Sequence, residues 1–209
     1  MAALFLDGET DYVFEIFPST EARLEGIVAA LDSPDVRDQF RVAMGRHLIE
    51  IDSIDDVEAL LPSISTPAAR SEIVLTLMRY IARDLADPAR AAALYFAAPI
   101  DVTPPFARFG TYLQRGPLAD TAIALWESDD TTRAAILSET VRQLWIADET
   151  DNPHLHSRLI SALAEAGQYA SVDQWLDIVS TPQDRIEILE WAARGAAKAG
   201  DFDASLRYL

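Results

Sequence analysis

The residues of this chain best suited to hold a metal ion are His154 and His156, with Asp148, Glu149 and Asp151 just upstream. Imidazole and carboxylate are zinc ligands. Histidines at i and i+2 of a helix point in different directions, however, and this set reads as a surface junction. His47 and Glu50 read as a solvated pair on one helix. The acid pairs Asp55–Asp56, Asp129–Asp130 and Asp201/Asp203 fall at expected helix starts. Carboxylates there offset the partial positive charge of the free N–H groups, so they do not read as acid–base couples. The chain has no cysteine, which excludes disulfides, thiolate nucleophiles and cysteine-bound zinc. It has no glycine-rich phosphate loop, nucleophile elbow or His-Glu metal helix. Nothing in these residues argues for an enzyme or for a cofactor.

The remaining chemistry belongs to guanidinium groups. An arginine recurs at or just after the expected first turn of a helix: Arg37, Arg70, Arg108, Arg133, Arg158 and Arg185. Four of these stand three residues after a proline (Pro34, Pro67, Pro105, Pro182), and the steps between the six arginines are 33, 38, 25, 25 and 27 residues. A cation in the first turn opposes the helix dipole by some tenths of a kcal/mol, so each needs an acceptor. Helical side chains lean toward the N-terminus, which brings each guanidinium back to the preceding junction. There it can clamp a carbonyl or an acid and tie consecutive hairpins together. The other reading is a ladder, with Arg70, Arg108, Arg133 and Arg158 gripping a peptide's carboxylates or carbonyls along a groove.

The elements that would carry these arginines are helices throughout, from Ser19 onward. Shorter segments (20–31, 55–62, 88–98, 118–127, 170–179, 202–209) alternate with longer ones (34–50, 67–85, 105–115, 131–147, 154–166, 183–199). Ser33-Pro34, Thr66-Pro67, Asp87-Pro88, Asn152-Pro153 and Thr181-Pro182 each set a capping side chain before a proline at the first helical position. Gly116, Gly167 and Gly200 mark helix ends. Residues 67–85 and 183–199 are apolar on two sides and so must be packed on two sides, whereas 55–61 is apolar on one. The longer helices are expected inside. Residues 1–17 stand apart. Asp7-Gly8 between apolar runs is a hairpin signal, so this segment reads as a β-hairpin or extended arm that caps the helical domain of residues 18–209. Self-similarity at such periods indicates an all-α, right-handed α-solenoid of stacked antiparallel hairpins.

The joint from Ala164 to Tyr169 contains Gly167-Gln168-Tyr169, and the joint from Ala197 to Phe202 contains Gly200-Asp201-Phe202. They lie 33 residues apart. This glycine-x-aromatic joint resembles that of the tetratricopeptide repeat family, whose period is about 34 residues. Pro182 falls two residues short of the family's closing proline. The family's small residue in the second helix is Val172 in one unit and Ser205 in the next. The resemblance covers the last 60 residues or so, with no match before residue 116. It implies a protein-binding helical repeat and carries over no catalytic residue.

Charge narrows the partner. The net charge is −17. Residues 1–60 hold 14 acids and 4 arginines, so −10; residues 61–120 hold 5 acids and 6 arginines, so +1; residues 121–209 hold 15 acids and 7 basic residues, so −8. Such a field repels phosphate backbones and anionic lipid headgroups. It points to a protein or peptide partner, a basic one in preference. The N-terminus has no basic region of the signal-peptide kind, and the apolar run 91–100 is too short to span a bilayer; a cytoplasmic location is expected. Of the four tryptophans, Trp126, Trp145 and Trp191 lie in apolar stripes and read as core. Trp175, set between Gln174 and Leu176 and flanked by Asp173 and Asp177, is expected to be exposed for a partner. Phe202, Leu206 and Leu209 form an apolar stripe on the last helix. Either this helix packs back as a lid, or two copies meet through it, or the chain continues beyond it, the last two being the readings favoured.

Overall fold

The computed structural model describes residues 33–97, 110–146 and 154–209. They form ten α-helices and one short 3-10 turn, and no strand occurs among the described residues. The helices are α1 (Pro34–Glu50), α2 (Ile54–Leu60), α3 (Pro67–Arg83), α4 (Pro88–Ala97), α5 (Gly110–Glu127), α6 (Thr131–Ile146), α7 (His154–Glu165), α8 (Tyr169–Ile178), α9 (Pro182–Lys198) and α10 (Phe202–Tyr208). The expected arm at 1–17, the helix at 20–31, the Asn152-Pro153 start and Arg108 lie outside the described residues.

Consecutive helices pair as five hairpins, and the first helix of each hairpin also packs on the first helix of the next: α1 on α3, α3 on α5, α5 on α7 and α7 on α9. A helix held this way must bury two sides. In α3, Ile73, Val74, Leu75, Leu77, Met78 and Ile81 are all buried. The second helices bury one side, as α2 does with Ile54, Val57 and Leu60. Side chains link them in turn. Arg90 on α4 donates to Glu58 (2.8 Å) and Asp55 (2.7 Å) of α2. Tyr95 on α4 meets Thr140 on α6 (3.3 Å). Trp145 on α6 stacks on Trp175 of α8, with ring centroids 5.0 Å apart. Arg207 on α10 donates to Asp173 of α8 (3.0 Å). Tyr208 also donates to Asp173; burial, with that carboxylate beside it, pushes the phenol up to about 12 and keeps it a neutral donor.

The proline-led starts at Pro34, Pro67, Pro88 and Pro182 stand where the sequence puts them. The hairpin turns share one device. The first helix ends on a residue at positive φ, and the next N–H reaches back to close the last turn. Gly167 (φ 70°) and Gly200 (φ 81°) do this, with Gln168 N–H bonded to Leu163 O (2.8 Å) and Asp201 N–H to Ala196 O (2.9 Å). Asp52 (φ 61°) and Asp129 (φ 63°) do the same in the first and third hairpins, with Ser53 N–H on Leu48 O and Asp130 N–H on Leu125 O.

Gly116 does not end a helix. The expected segments 105–115 and 118–127 give way to one helix, α5, which runs through Gly116 and Pro117. An interior proline costs about 3 kcal/mol. Burial of Leu118, Ala119, Ala122, Ile123 and Leu125 between α3 and α7 offsets it. Because α5 is continuous, α6 is its hairpin partner rather than the start of a new pair, and the short–long alternation fails there.

The capping expectation holds in part. Thr181 accepts from Asp184 N–H (3.1 Å) and Asp87 from Arg90 N–H (3.0 Å), but Ser33 and Thr66 make no side-chain cap. At α3 a distant residue takes over. Asp38 of α1 is fully buried, and its carboxylate accepts from Ser65 N–H (3.0 Å), Ser65 Oγ (2.7 Å) and Thr66 N–H (2.6 Å). Burial alone pushes this carboxyl up; the Ser65 hydroxyl and the two N–H groups outweigh it and hold the group below the ordinary aspartate value.

Two predictions follow from this packing. At Gly195 of α9 an added Cβ would lie 2.9 Å from Ala164 Cβ and closer still to the Ser161 carbonyl, backbone that cannot step aside. At Gly45 it would meet side-chain atoms only, Cδ1 and Cγ1 of the buried Ile73 at 2.7 and 2.8 Å and Leu60 Cδ2 at 3.6 Å. Urea unfolding should show Gly195→Ala destabilised by about 2–3 kcal/mol, and Gly45→Ala by less, about 1 kcal/mol, because a side chain can repack where backbone cannot and alanine favours the helix. Asp38→Asn should lose about 1–3 kcal/mol at neutral pH, since three donors lose a charged acceptor held in a buried position. A depressed folded-state pKa gives stability that is present above the unfolded value and lost as pH falls through the folded one. The gap between parent and variant should therefore be level at neutral pH and close as pH drops below the ordinary aspartate value of 3.8.

Candidate functional site

Each first helix leaves one stripe uncovered by its neighbours. The stripes carry Arg46 and Glu50 on α1, Glu72, Thr76, Arg79 and Arg83 on α3, and Asp120, Ala124 and Glu127 on α5; they continue with Arg158 and Glu165 on α7 and with Glu190, Arg194 and Lys198 on α9. Ion pairs cross three of the four boundaries between these stripes, and at the fourth, between α3 and α5, Arg79 lies against Gly116. Arg46 pairs with Glu72, Arg158 with Asp120 (3.6 Å) and Lys198 with Glu165 (2.8 Å). Burial pushes the Glu72 carboxyl up, and Arg46 draws it back only in part. Lys198 is held above its ordinary value by Glu165, with Glu127 adding to it from α5.

The expected arginines do not form one ladder on this face. Arg70 donates through Nε (3.2 Å) and Nη2 (2.6 Å) to the Ile64 carbonyl in the turn before α3. Arg185 donates to Leu176 O near the end of α8 (2.9 Å). Both make the backward clamp that the lean of helical side chains allows. Arg133 sits on α6, a second helix, and bonds Asp130 (2.6 Å) and the Ala89 carbonyl (3.3 Å). The merging of α5 takes it out of register with the others. Arg158 does lie on the shared face, exposed and paired with Asp120.

Trp175 is 1% exposed, not open to a partner. The acids around it face outward while its indole turns inward onto Trp145 and the core. Trp126 and Trp145 are buried as expected; Trp126 donates to Ser138 Oγ (3.1 Å). Trp191 is half-buried, with Arg194 5.0 Å over its ring. Between α6 and α8 a cleft of about 60 Å³ is lined by Ser138, Glu139, Arg142, Ser171 and Gln174 over Trp126. That is far below the ~300–1,000 Å³ of a cofactor pocket. Phe202, Leu206 and Leu209 are 69%, 69% and 85% exposed, with Ile186 of α9 also exposed. His154 and His156 lie in the first turn of α7, and Asp148, Glu149 and Asp151 lie outside the described residues.

Two features of the structure escaped sequence reasoning. Asp38 had a signal: with Val42, Gly45 and Ile49 it lies on one side of α1, an acid at the head of a buried stripe. Arg79 and Arg83 had a weaker one, an i, i+4 pair on the polar side of a helix otherwise dominated by its apolar run. Comparison of the chain with protein-family models, with curated proteins and with solved structures gave no match. Among the described residues no helix is long and apolar enough to cross a membrane.

If Arg185 is a clamp, its removal acts on stability. Arg185→Ala should lower the urea midpoint by the equivalent of about 1–2 kcal/mol, the worth of a charge-assisted hydrogen bond to a part-buried carbonyl. An unchanged midpoint would leave the arginine without a structural role.

Proposed function

We propose that this chain is a non-enzymatic protein-binding module, a right-handed α-solenoid of stacked hairpins similar to tetratricopeptide repeats. Its partner lies along the row of first helices. What supports the reading is the one contiguous, mixed-charge face that runs over five consecutive hairpins and that no described element covers. Extended faces of this kind suit an extended segment, because each hairpin adds a few contacts in line. The charge of −17 favours a basic partner and disfavours nucleic acid and anionic membrane. A second reading, an acidic inhibitor that masks one folded basic protein, rests on the same charge. It differs in kinetics: its on-rate falls steeply with salt, whereas an adaptor that grips a short peptide depends on salt modestly. The exposed Phe202, Leu206 and Leu209 support self-association of two copies through α10.

Site-specific photo-cross-linking in the native cell tests the main reading. A cross-linker at Ala124, on the shared face, should capture a discrete partner, and one at Ala93, exposed on α4, should not. Capture from position 93 alone would place the partner on the second helices and overturn it. For self-association, light scattering should show a dimer of the parent and a monomer of the Leu206→Glu, Leu209→Glu variant. A monomeric parent ends that part of the proposal.

A further inference from the structure

Among the basic side chains of the shared face, Arg79 is the one that is partly desolvated and unpaired. Its Nε is buried with no hydrogen-bond partner. No ion pair or hydrogen bond of its guanidinium occurs among the described residues, in contrast to Arg46, Arg158, Arg194 and Lys198 on the same face. Its Nη2 lies 3.2 Å from where a Cβ on Gly116 would stand. With no side chain at Gly116, in the body of α5, the guanidinium comes close to that helix; a Cβ there would crowd it by a few tenths of an ångström. One turn further along α3, on the same side, stands Arg83, exposed and likewise unpaired among the described residues.

An unpaired charge taken out of water is costly, and a buried N–H without an acceptor adds to the cost. The acids nearby do not relieve it. Glu72, two turns back on α3, is held by Arg46, and Asp120, one turn on from Gly116, is held by Arg158. The middle of a strongly acidic protein thus keeps two guanidiniums whose acceptor is not supplied by its own described residues. We propose that Arg79 and Arg83 form an anchor for a carboxylate of the bound protein segment, an aspartate or glutamate side chain within it. A planar guanidinium takes a carboxylate through two parallel hydrogen bonds. Arg79, fixed against Gly116, is the pre-oriented half of the pair and Arg83 the mobile half. A side chain fits better than a chain terminus because the face continues on both sides of Arg79, toward Arg46 and toward Asp120, so a segment crossing it runs on in both directions. The anchor rests on the binding role proposed above and names the chemistry of one contact within it.

The test uses the full chain and three short Gly-Ser peptides: one with two central glutamates and an amidated C-terminus, its glutamine counterpart, and one without glutamate but with a free C-terminus. Binding is read in every variant by isothermal titration calorimetry, and in the parent also by the side-chain Nε–H resonance of Arg79. The glutamate peptide should shift it saturably, with Kd at least about tenfold lower than that of the glutamine peptide, the worth of one charge-assisted hydrogen bond. Arg79→Gln should weaken the glutamate peptide by about the same factor, and Arg79→Lys, which keeps the charge without the fork, should recover part of it. Equal binding of the glutamate and glutamine peptides, or of the glutamate peptide to parent and Arg79→Gln, overturns the anchor; binding of the free-terminus peptide alone overturns the side-chain assignment. Thermal unfolding supplies an independent arm. Arg79→Met removes an unpaired charge and should leave Tm unchanged or raised; a fall of about 5 °C or more marks Arg79 as a structural group. Failure of the anchor alone leaves the cross-link at Ala124 in place, whereas failure of the binding role removes that cross-link as well.

Discussion

Most of this molecule follows from one constraint: a first helix must be packed on both flanks at once. A helix has room for two buried flanks and one free stripe, and its two ends must then be satisfied by something other than the flanks. The flanks explain the apolar wrap of α3 and the small residues of α9, where Ala192, Ala193, Gly195 and Ala196 bring it close to α7. Gly195 is the tightest point, with backbone opposite backbone. The ends explain where the polar contacts between elements fall. Asp38 closes the start of α3 from a neighbouring helix, and Arg70 and Arg185 reach back to carbonyls that precede their own helices. The free stripe is what remains for a partner.

How much of this the sequence discloses depends on whether the signal is local. Proline after a capping residue is local chemistry, and α1, α3, α4 and α9 begin at their prolines. Glycine at a left-handed helix end is local too, and Gly167 and Gly200 behave so. The same turn built on Asp52 or Asp129 is hidden, because aspartate tolerates the conformation without announcing it. Pro117 misleads for the opposite reason. Its local cost is real, and contacts with α3 and α7, distant in sequence, override it. Trp175 is a third kind of failure. Its neighbours Asp173, Gln174 and Asp177 are exposed, but on a helix adjacent residues point apart, so polar flanks say little about the residue between them. Charge by segment pointed to the neutral middle of the chain and not to particular residues, and the candidate face extends past that middle, from Arg46 to Lys198. An unpaired guanidinium is recognised only when all its neighbours are known.

The polar contacts fall into two classes with different consequences. Asp38 is buried and bonded by three donors, so its loss takes a charged acceptor from two backbone N–H groups and a hydroxyl at once. The pairs on the free stripe are open to solvent on at least one side: Arg46 is half-exposed, and Arg158, Arg194 and Lys198 are largely exposed. Pairs of that kind are worth about 0–1 kcal/mol and weaken with salt. They add little to the fold, and a partner that offers a better carboxylate or a better cation can displace them without unfolding anything.

That separation makes the same surface usable for recognition. The backbone of the stripe is fixed by buried flanks, while the side chains on it are held only by weak, exchangeable pairs. A segment laid across it meets positions spaced by rigid helices and charges that can change partners. Along most of the face each new ion pair replaces an old one, so the net gain is small and binding there selects by sign and spacing more than by strength. Arg79 differs because it has no partner among the described residues to give up and part of its desolvation is already incurred in the folded chain. Under the proposed binding role an interaction formed there is not offset by one broken, which would put the strongest single contact on this face at its charge-neutral centre rather than at its acidic ends.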